Sequence, residues 1–192
     1  MSPRTSAQFE EIRDQKRKLI LDTALDLFAS KGYYNTSIND IARKAGISKG
    51  LMYNYFRSKE ELIETIIFKG VDEIMEILDK DGDGKLSHDE LLSFLDSSFE
   101  IFKKKISFWR VYFSILMKPQ VYSMAKDKLA VMSDPVMNMF EDYFRSVGSN
   151  DPITEARIFY CLLDGIALNY VINPEGFPIA RVNEMIHKLF IR

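Results

Sequence analysis

The chain has 192 residues, 46% of them hydrophobic and 28% charged, with a formal net charge of −2. That balance describes a folded globular protein rather than a disordered one, and no apolar run approaches the roughly 18 residues needed to cross a bilayer. A single cysteine, Cys161, excludes an internal disulfide and suits a reducing compartment. The first residues are polar, mixed in charge and unlike a signal peptide, so the expected setting is the cytoplasm, without membrane contact. Residues 1–60 carry 11 Lys/Arg against 7 Asp/Glu, while residues 61–192 carry 15 against 21. A basic head on an acidic body suits contact with DNA, but a split this small decides nothing alone.

Taken in chain order, the pattern is helical nearly throughout. Leu19, Ile20, Ala24, Leu27 and Phe28 recur at helical spacing within a helix over Ile12–Ser30, and Lys31-Gly32 supplies its stop. Ser37 with Asp40 caps a short helix whose buried face is Ile38, Ile41, Ala42 and Ala45. Gly46 breaks it, and Ser48 caps a second short helix, Lys49 to Tyr55. Ser58 with Glu61 forms a further capping box and opens a long helix through Leu78. An acidic loop follows, then a helix from Asp89 towards Phe102 and an aromatic-rich one over Ser107–Lys118, closed by Pro119. Asp134-Pro135 and Asp151-Pro152 each place a capping Asp before a first-turn proline and predict two more helix starts. Asn173–Gly176 is a turn between a helix over 152–172 and a last one over about 178–191. No segment reads as a strand, so the fold class is all-α. A DNA-binding domain is expected over 1–60 and a helical regulatory and dimerisation domain over 61–192.

Residues 36–62, TSINDIARKAGISKGLMYNYFRSKEEL, meet the physical requirements of a helix-turn-helix. Gly46 permits the tight turn, Ile47 fills the angle between the helices, and Met52 and Phe56 are assigned to the core. Gly32-Tyr33, Thr36-Ser37, Asp40-Ile41-Ala42, Ala45-Gly46, Ser48-Lys49-Gly50, Tyr53, Tyr55-Phe56 and Lys59-Glu60-Glu61-Leu62 together resemble the tetracycline-repressor (TetR) family over about 50 residues. The resemblance implies a three-helix DNA-binding unit, a divergent helical body that takes ligand and dimerises, and a repressor acting on a palindromic operator in double-stranded DNA. Thr36, Ser37 and Ser48 stand at helix starts, where hydroxyls and backbone N–H groups favour phosphate. The resemblance places Tyr53, Tyr55 and Lys59 on phosphates and turns Lys49, Gly50, Leu51 and Asn54 to base edges. Leu51 departs from the threonine common in the family, which leaves at most an apolar contact to a thymine methyl.

Residues 79–90, DKDGDGKLSHDE, fit the ligand spacing of an EF-hand calcium loop. Asp79, Asp81 and Asp83 take positions 1, 3 and 5, Gly84 the sharp turn at 6, and Lys85 offers its carbonyl at 7. Ser87 falls at position 9, and Glu90 at 12 is placed to bind bidentately. The expected cofactor is Ca²⁺, in a structural or regulatory site; the other readings are a vestigial or solvated acidic loop and a site that fills only at high Ca²⁺ concentration. EF-hands usually pair and only one loop is visible, so Leu86 must be buried by the body or by a second subunit. The TetR pattern has no such loop at this place.

In the body, Trp109, Tyr112, Phe113, Met117 and Phe140 are candidates for an apolar small-molecule effector pocket, although each taken singly reads more readily as core. By resemblance to the family's dimer-forming helices, Ile158, Leu162, Gly165, Ile166 and Asn169 are expected to face a second copy. No nucleophile–base pair or phosphate-cradling glycine loop is visible, so an enzyme is not expected. The alternative left open is a calcium-binding helical scaffold or buffer without sequence-specific DNA binding.

Overall fold

The computed structural model describes residues 6–116 and 119–191, and among these it is all-helical with no strand. The elements are α1 (Ser6–Lys31), α2 (Ile38–Lys44), α3 (Lys49–Tyr55), α4 (Lys59–Leu78), α5 (His88–Lys104), α6 (Ile106–Leu116), α7 (Pro119–Ser146), α8 (Pro152–Ile172) and α9 (Ile179–Phe190). They divide into two compact units, Met1–Lys69 and Gly70–Arg192. The division falls inside α4, rather than at its start as read from the sequence.

In the first unit, the apolar stripe of α1 is buried as its periodicity requires: Ile20 and Ala24 are fully enclosed, with Leu27 and Phe28 nearly so. The capping box of α2 forms as expected. Ser37 Oγ accepts from the Asp40 amide at 3.1 Å, and Asp40 Oδ2 accepts from the Ser37 amide at 3.1 Å. Gly46 has a φ of +66°, a left-handed conformation that side chains with a Cβ disfavour, and it turns the chain from α2 into α3. Met52 and Phe56 are buried in the core, while Ile47 is only half-buried in the corner. The box at Ser58 is half formed. Its Oγ accepts from the Glu61 amide at 3.1 Å, but Glu61 returns its carboxylate to the Arg57 amide at 2.6 Å.

The second unit is built around aromatic side chains. Phe159 of α8 is fully buried, and its ring centroid lies 5.0 Å from Phe140, 5.7 Å from Phe144 and 5.0 Å from Phe190. One side chain thereby joins α7, α8 and α9. Two sequence expectations need correction. Asp134-Pro135 does not start a helix, because Pro135 lies inside the continuous α7. Proline leaves the carbonyl four residues earlier without its amide partner, and that residue, Val131, is 73% exposed, so water can serve it. Ile166 does not face outward; it is buried in the core of its own unit.

α4 and α6 approach so closely at Gly70 that a Cβ there would overlap the Phe108 ring. Overpacking of this kind costs about 1–3 kcal/mol, against ~1 kcal/mol gained in helix propensity when glycine is replaced by alanine. The net cost is up to about 2 kcal/mol, so Gly70→Ala is expected to lower Tm, by up to about 8 °C for a chain of this length. A thermal melt showing an unchanged or raised Tm would mean that the ring moves aside without cost.

Candidate functional site

The first candidate surface is carried by α3. Seven residues cannot hold a helix by themselves. α3 stands because Ser48 Oγ accepts from the Leu51 amide at 3.1 Å while Met52 and Phe56 anchor the inner face. The opposite face is left to solvent: Lys49, Gly50 and Asn54 are exposed, Tyr53 is 46% and Leu51 37% exposed, and Tyr55 is half-buried. Space around Gly50 is open, so a helix or groove can come close to the backbone there. Ser37 and Ser48, both exposed, stand at the starts of α2 and α3. Arg57 and Tyr34 are also exposed, and the sequence reading had not singled them out.

Two residues expected at phosphates are engaged within the unit instead in this structure. Thr36 is 1% exposed, and its hydroxyl lies 2.9 Å from the Gly32 carbonyl and 3.3 Å from that of Leu27. That hydroxyl ties the turn after α1 and does not reach outward. Lys59 likewise turns inward. Its Nζ donates to the carbonyls of Tyr33 at 2.9 Å and Thr36 at 3.1 Å, and lies 4.2 Å from the centroid of the Tyr33 ring. Tyr33 in turn donates to Glu60 Oε1 at 3.0 Å. Burial, with the Glu60 bond second, pushes the Tyr33 hydroxyl well above its usual range. Glu60 is held below the usual carboxylate range by its own backbone amide and by the Tyr33 and Ser58 hydroxyls. Hydrogen bonds from a charged donor are worth about 1.5–3 kcal/mol. Lys59→Met is therefore expected to lower Tm while leaving the salt dependence of DNA binding unchanged. An unchanged melt with a shallower salt slope would return the ammonium to phosphate.

The second candidate is the loop between α4 and α5. Asp79, Asp81 and Asp83 each offer a carboxylate oxygen, and these oxygens lie within 4.8 Å of one another. Local bonds hold them there. Asp79 Oδ2 accepts from the Gly84 amide at 3.1 Å, Asp81 Oδ1 from the Asp83 amide at 3.1 Å, and Asp83 Oδ1 from the Lys85 amide at 2.8 Å. Gly84 makes the turn at a φ of +76°. Asp79 Oδ1 is buried with no hydrogen-bond partner among the described residues, as a ligand atom lacking its ion would be. Leu86 is buried within its own unit.

Glu90 and Ser87 do not join the three aspartates. They form the capping box of α5: Ser87 Oγ accepts from the Glu90 amide at 3.2 Å and donates to Glu90 Oε2 at 2.7 Å, and the Ser87 amide reaches Oε2 at 3.0 Å. The other oxygen, Oε1, accepts from the Lys80 amide at 3.1 Å. These bonds, that of the Ser87 hydroxyl first, hold the exposed Glu90 carboxyl below its usual range.

The third candidate is a cavity of about 460 Å³ within the second unit. Trp109, Tyr112 and Phe140 line it, as expected. Phe113 does not; it stacks behind Trp109, with ring centroids 5.9 Å apart. Met117 lies outside the described residues. The wall also holds groups that the sequence reading missed, Tyr160 and Asp164 of α8. The only signal for Asp164 was a lone carboxylate in an otherwise apolar stretch. Burial pushes its carboxyl up to about 6. Burial also raises the Tyr112 and Tyr160 hydroxyls, which share a hydrogen bond. Trp109 Nε1 is buried with no partner among the described residues.

A capped short helix with one anchored face and one bare face, set behind a glycine turn, defines the first unit as a helix-turn-helix of the DNA-binding class. Residues 20–66 match the model for bacterial regulatory proteins of the tetR family, and residues 70–98 match the EF hand domain. The chain is 34% identical over 100 residues to an uncharacterised HTH-type transcriptional regulator, YfiR of Bacillus subtilis, covering 52% of this chain and 47% of that one. It is 37% identical over 67 residues to the HTH-type transcriptional repressor KstR2 of Mycolicibacterium smegmatis, covering 35% and 30%. These alignments span less than half of either relative. The structure of a transcriptional regulator from Aquifex aeolicus superposes with a TM-score of 0.69 at 25% identity, over 90% of this chain and 96% of that one. Residues 20–66 therefore carry the DNA-binding unit of the tetR family of bacterial regulatory proteins, and the rest of the chain shares the helical fold of the Aquifex regulator.

Proposed function

We propose that this protein is a homodimeric transcriptional repressor that grips a palindromic operator through α3 and releases it when an apolar effector fills the body's cavity. The observation that carries the DNA reading is the bare α3 face, with Lys49, Tyr53 and Asn54 outward and Met52 and Phe56 locked inward. Ser37 and Ser48, with Tyr53 and Tyr55, supply phosphate contacts, and Lys49, Gly50, Leu51 and Asn54 meet base edges. A helical scaffold or buffer would have no use for such a face, and the repressor activity of KstR2 supports the same reading. The exposed apolar side chains Ile158 and Leu162 on α8, with Met185 and Leu189 on α9, support a second copy as partner. Asn169 is exposed on the same helix, donating to the Gly165 carbonyl at 2.7 Å.

Selection of binding sites from a random duplex library tests this. Wild type is expected to enrich an inverted repeat. Asn54→Ala is expected to relax one base position in each half-site at a cost of about 1–3 kcal/mol. Tyr53→Phe is expected to weaken all duplexes alike. Enrichment of no sequence, or uniform loss in both variants, would reject the assignment of the reading face.

The three gathered aspartates and the orphaned Asp79 oxygen support a divalent-cation site, and Ca²⁺ suits hard oxygens at this spacing. Asp79, Asp81 and Asp83 would hold it with the Lys85 carbonyl, Ser87 would serve directly or through water, and Glu90 would complete the set on leaving its cap. The ion supplies charge compensation to carboxylates that otherwise repel one another. Calorimetric titration of Ca²⁺ into chelator-stripped protein should give heats that vanish in Asp79→Ala and weaken in Glu90→Gln. At a hundredfold excess over Kd, stability should rise by about 2.7 kcal/mol. Identical heats in all three proteins would remove the site.

A further inference from the structure

We propose that the cavity of the second unit selects apolar molecules bearing a protonated amine, with Asp164 as the counter-charge. This rests on reading the cavity as the effector site and specifies what that site takes. At about 460 Å³ it accepts a molecule of drug size. Most of its wall is hydrocarbon or aromatic ring; Ser98, Ser133, Tyr112 and Tyr160 add neutral hydroxyls, and the charged side chain among the lining residues is Asp164.

A carboxylate in such a wall is costly unless something cationic or hydrogen-bonding faces it. Among the described residues no hydrogen bond or ion pair serves Asp164. Burial is what raises its carboxyl; the Tyr112 and Tyr160 hydroxyls feel its charge, and the exposed Arg157 bears on Tyr160. At neutral pH the group is still largely ionised, so the charge persists within an apolar enclosure. A neutral ligand would leave that charge buried and unpaired, and an anionic ligand would bring a second negative charge against it. A cation relieves both conditions. The rings are suited to the same guest: Phe108, Trp109 and Tyr112 lie mutually within 6.0 Å, centroid to centroid, and aromatic faces attract ammonium groups. A second group awaits a partner in the same wall, the buried indole N–H of Trp109, which can donate to a polar atom of the guest.

Three tail-matched probes, decylamine, 1-decanol and decanoate, test the proposal with the full-length protein at pH 7.5. Trp109 is the sole tryptophan and lines the cavity, so its fluorescence reports occupancy. Decylamine is expected to bind about tenfold or more tighter than decanoate. Asp164→Asn is expected to abolish that preference while decanol binds as well as before, and Asp164→Glu to retain it. Removing a buried charge should not unfold the protein, and a thermal melt checks this; if the variant does fail to fold, the wild-type ranking decides alone. Equal affinity for amine and acid, tighter binding of the acid, or a preference that survives Asp164→Asn would overturn the proposal. If the probes bind without that preference and still release the selected duplex, the effector reading stands and the charge selection falls. If none of the three binds, both fall.

Discussion

The ammonium of Lys59, resting on the carbonyls of Tyr33 and Thr36, is the contact on which the first unit's geometry depends. α2 and α3 have seven residues each, too few to persist as isolated helices. Their orientation must come from what holds the turn before them. Thr36 spends its hydroxyl on the end of α1, Ser37 and Asp40 close the first turn of α2, and Lys59 brings the start of α4 onto the same turn. Tyr33 completes the arrangement, taking the cation on its ring and giving its hydroxyl to Glu60. With those polar groups committed inward, the outward work of α3 falls to Lys49, Tyr53 and Asn54.

The body holds acidic groups in two different electrostatic settings, and the difference separates the cations that each can attract. Asp79, Asp81 and Asp83 converge in one loop, where backbone amides share part of their charge and water reaches Asp81 and Asp83, while Asp79 Oδ1 is buried. Several hard oxygens at close range suit a small divalent ion. Asp164 is the charged side chain in a wall made mostly of rings and aliphatic side chains, so its charge is less screened than that of the three aspartates but offers only one carboxylate. A single organic ammonium with an apolar body matches that setting, because its hydrocarbon fills the space that a hydrated metal ion would leave empty.

Close packing gives the same region its limits. Phe108 is pressed against Gly70 on one side and forms cavity wall on the other. The volume available to a guest is therefore set partly by the absence of a single Cβ on α4. Phe113 shows the converse: it reads as a pocket residue yet lies behind Trp109, buttressing the ring that makes the wall.

The local features were legible from residues alone, because they depend on contacts within a few positions. The Ser37–Asp40 and Ser48 caps, the Gly46 turn and the spacing of Asp79, Asp81 and Asp83 are all short-range matters. The apolar stripe of α1 was equally readable from its helical period. What the sequence could not assign was the direction taken by side chains able to serve two purposes. Thr36 and Lys59 match a phosphate-binding pattern, but carbonyls contributed from 23 to 26 positions away draw Lys59 inward. Glu90 has the position of a metal ligand and equally that of a capping residue, and the free amides of Lys80 and Ser87 claim its oxygens. Pro135 reads as a helix start because proline favours that place, but α7 runs through it where the residue one turn earlier, Val131, is exposed to water. Asp164 gave no motif, since its significance lies in α4, α5, α6, α7 and α8 together closing a largely apolar cavity around it. Local chemistry specifies which bonds a residue can make, and only the assembled fold decides which partner arrives.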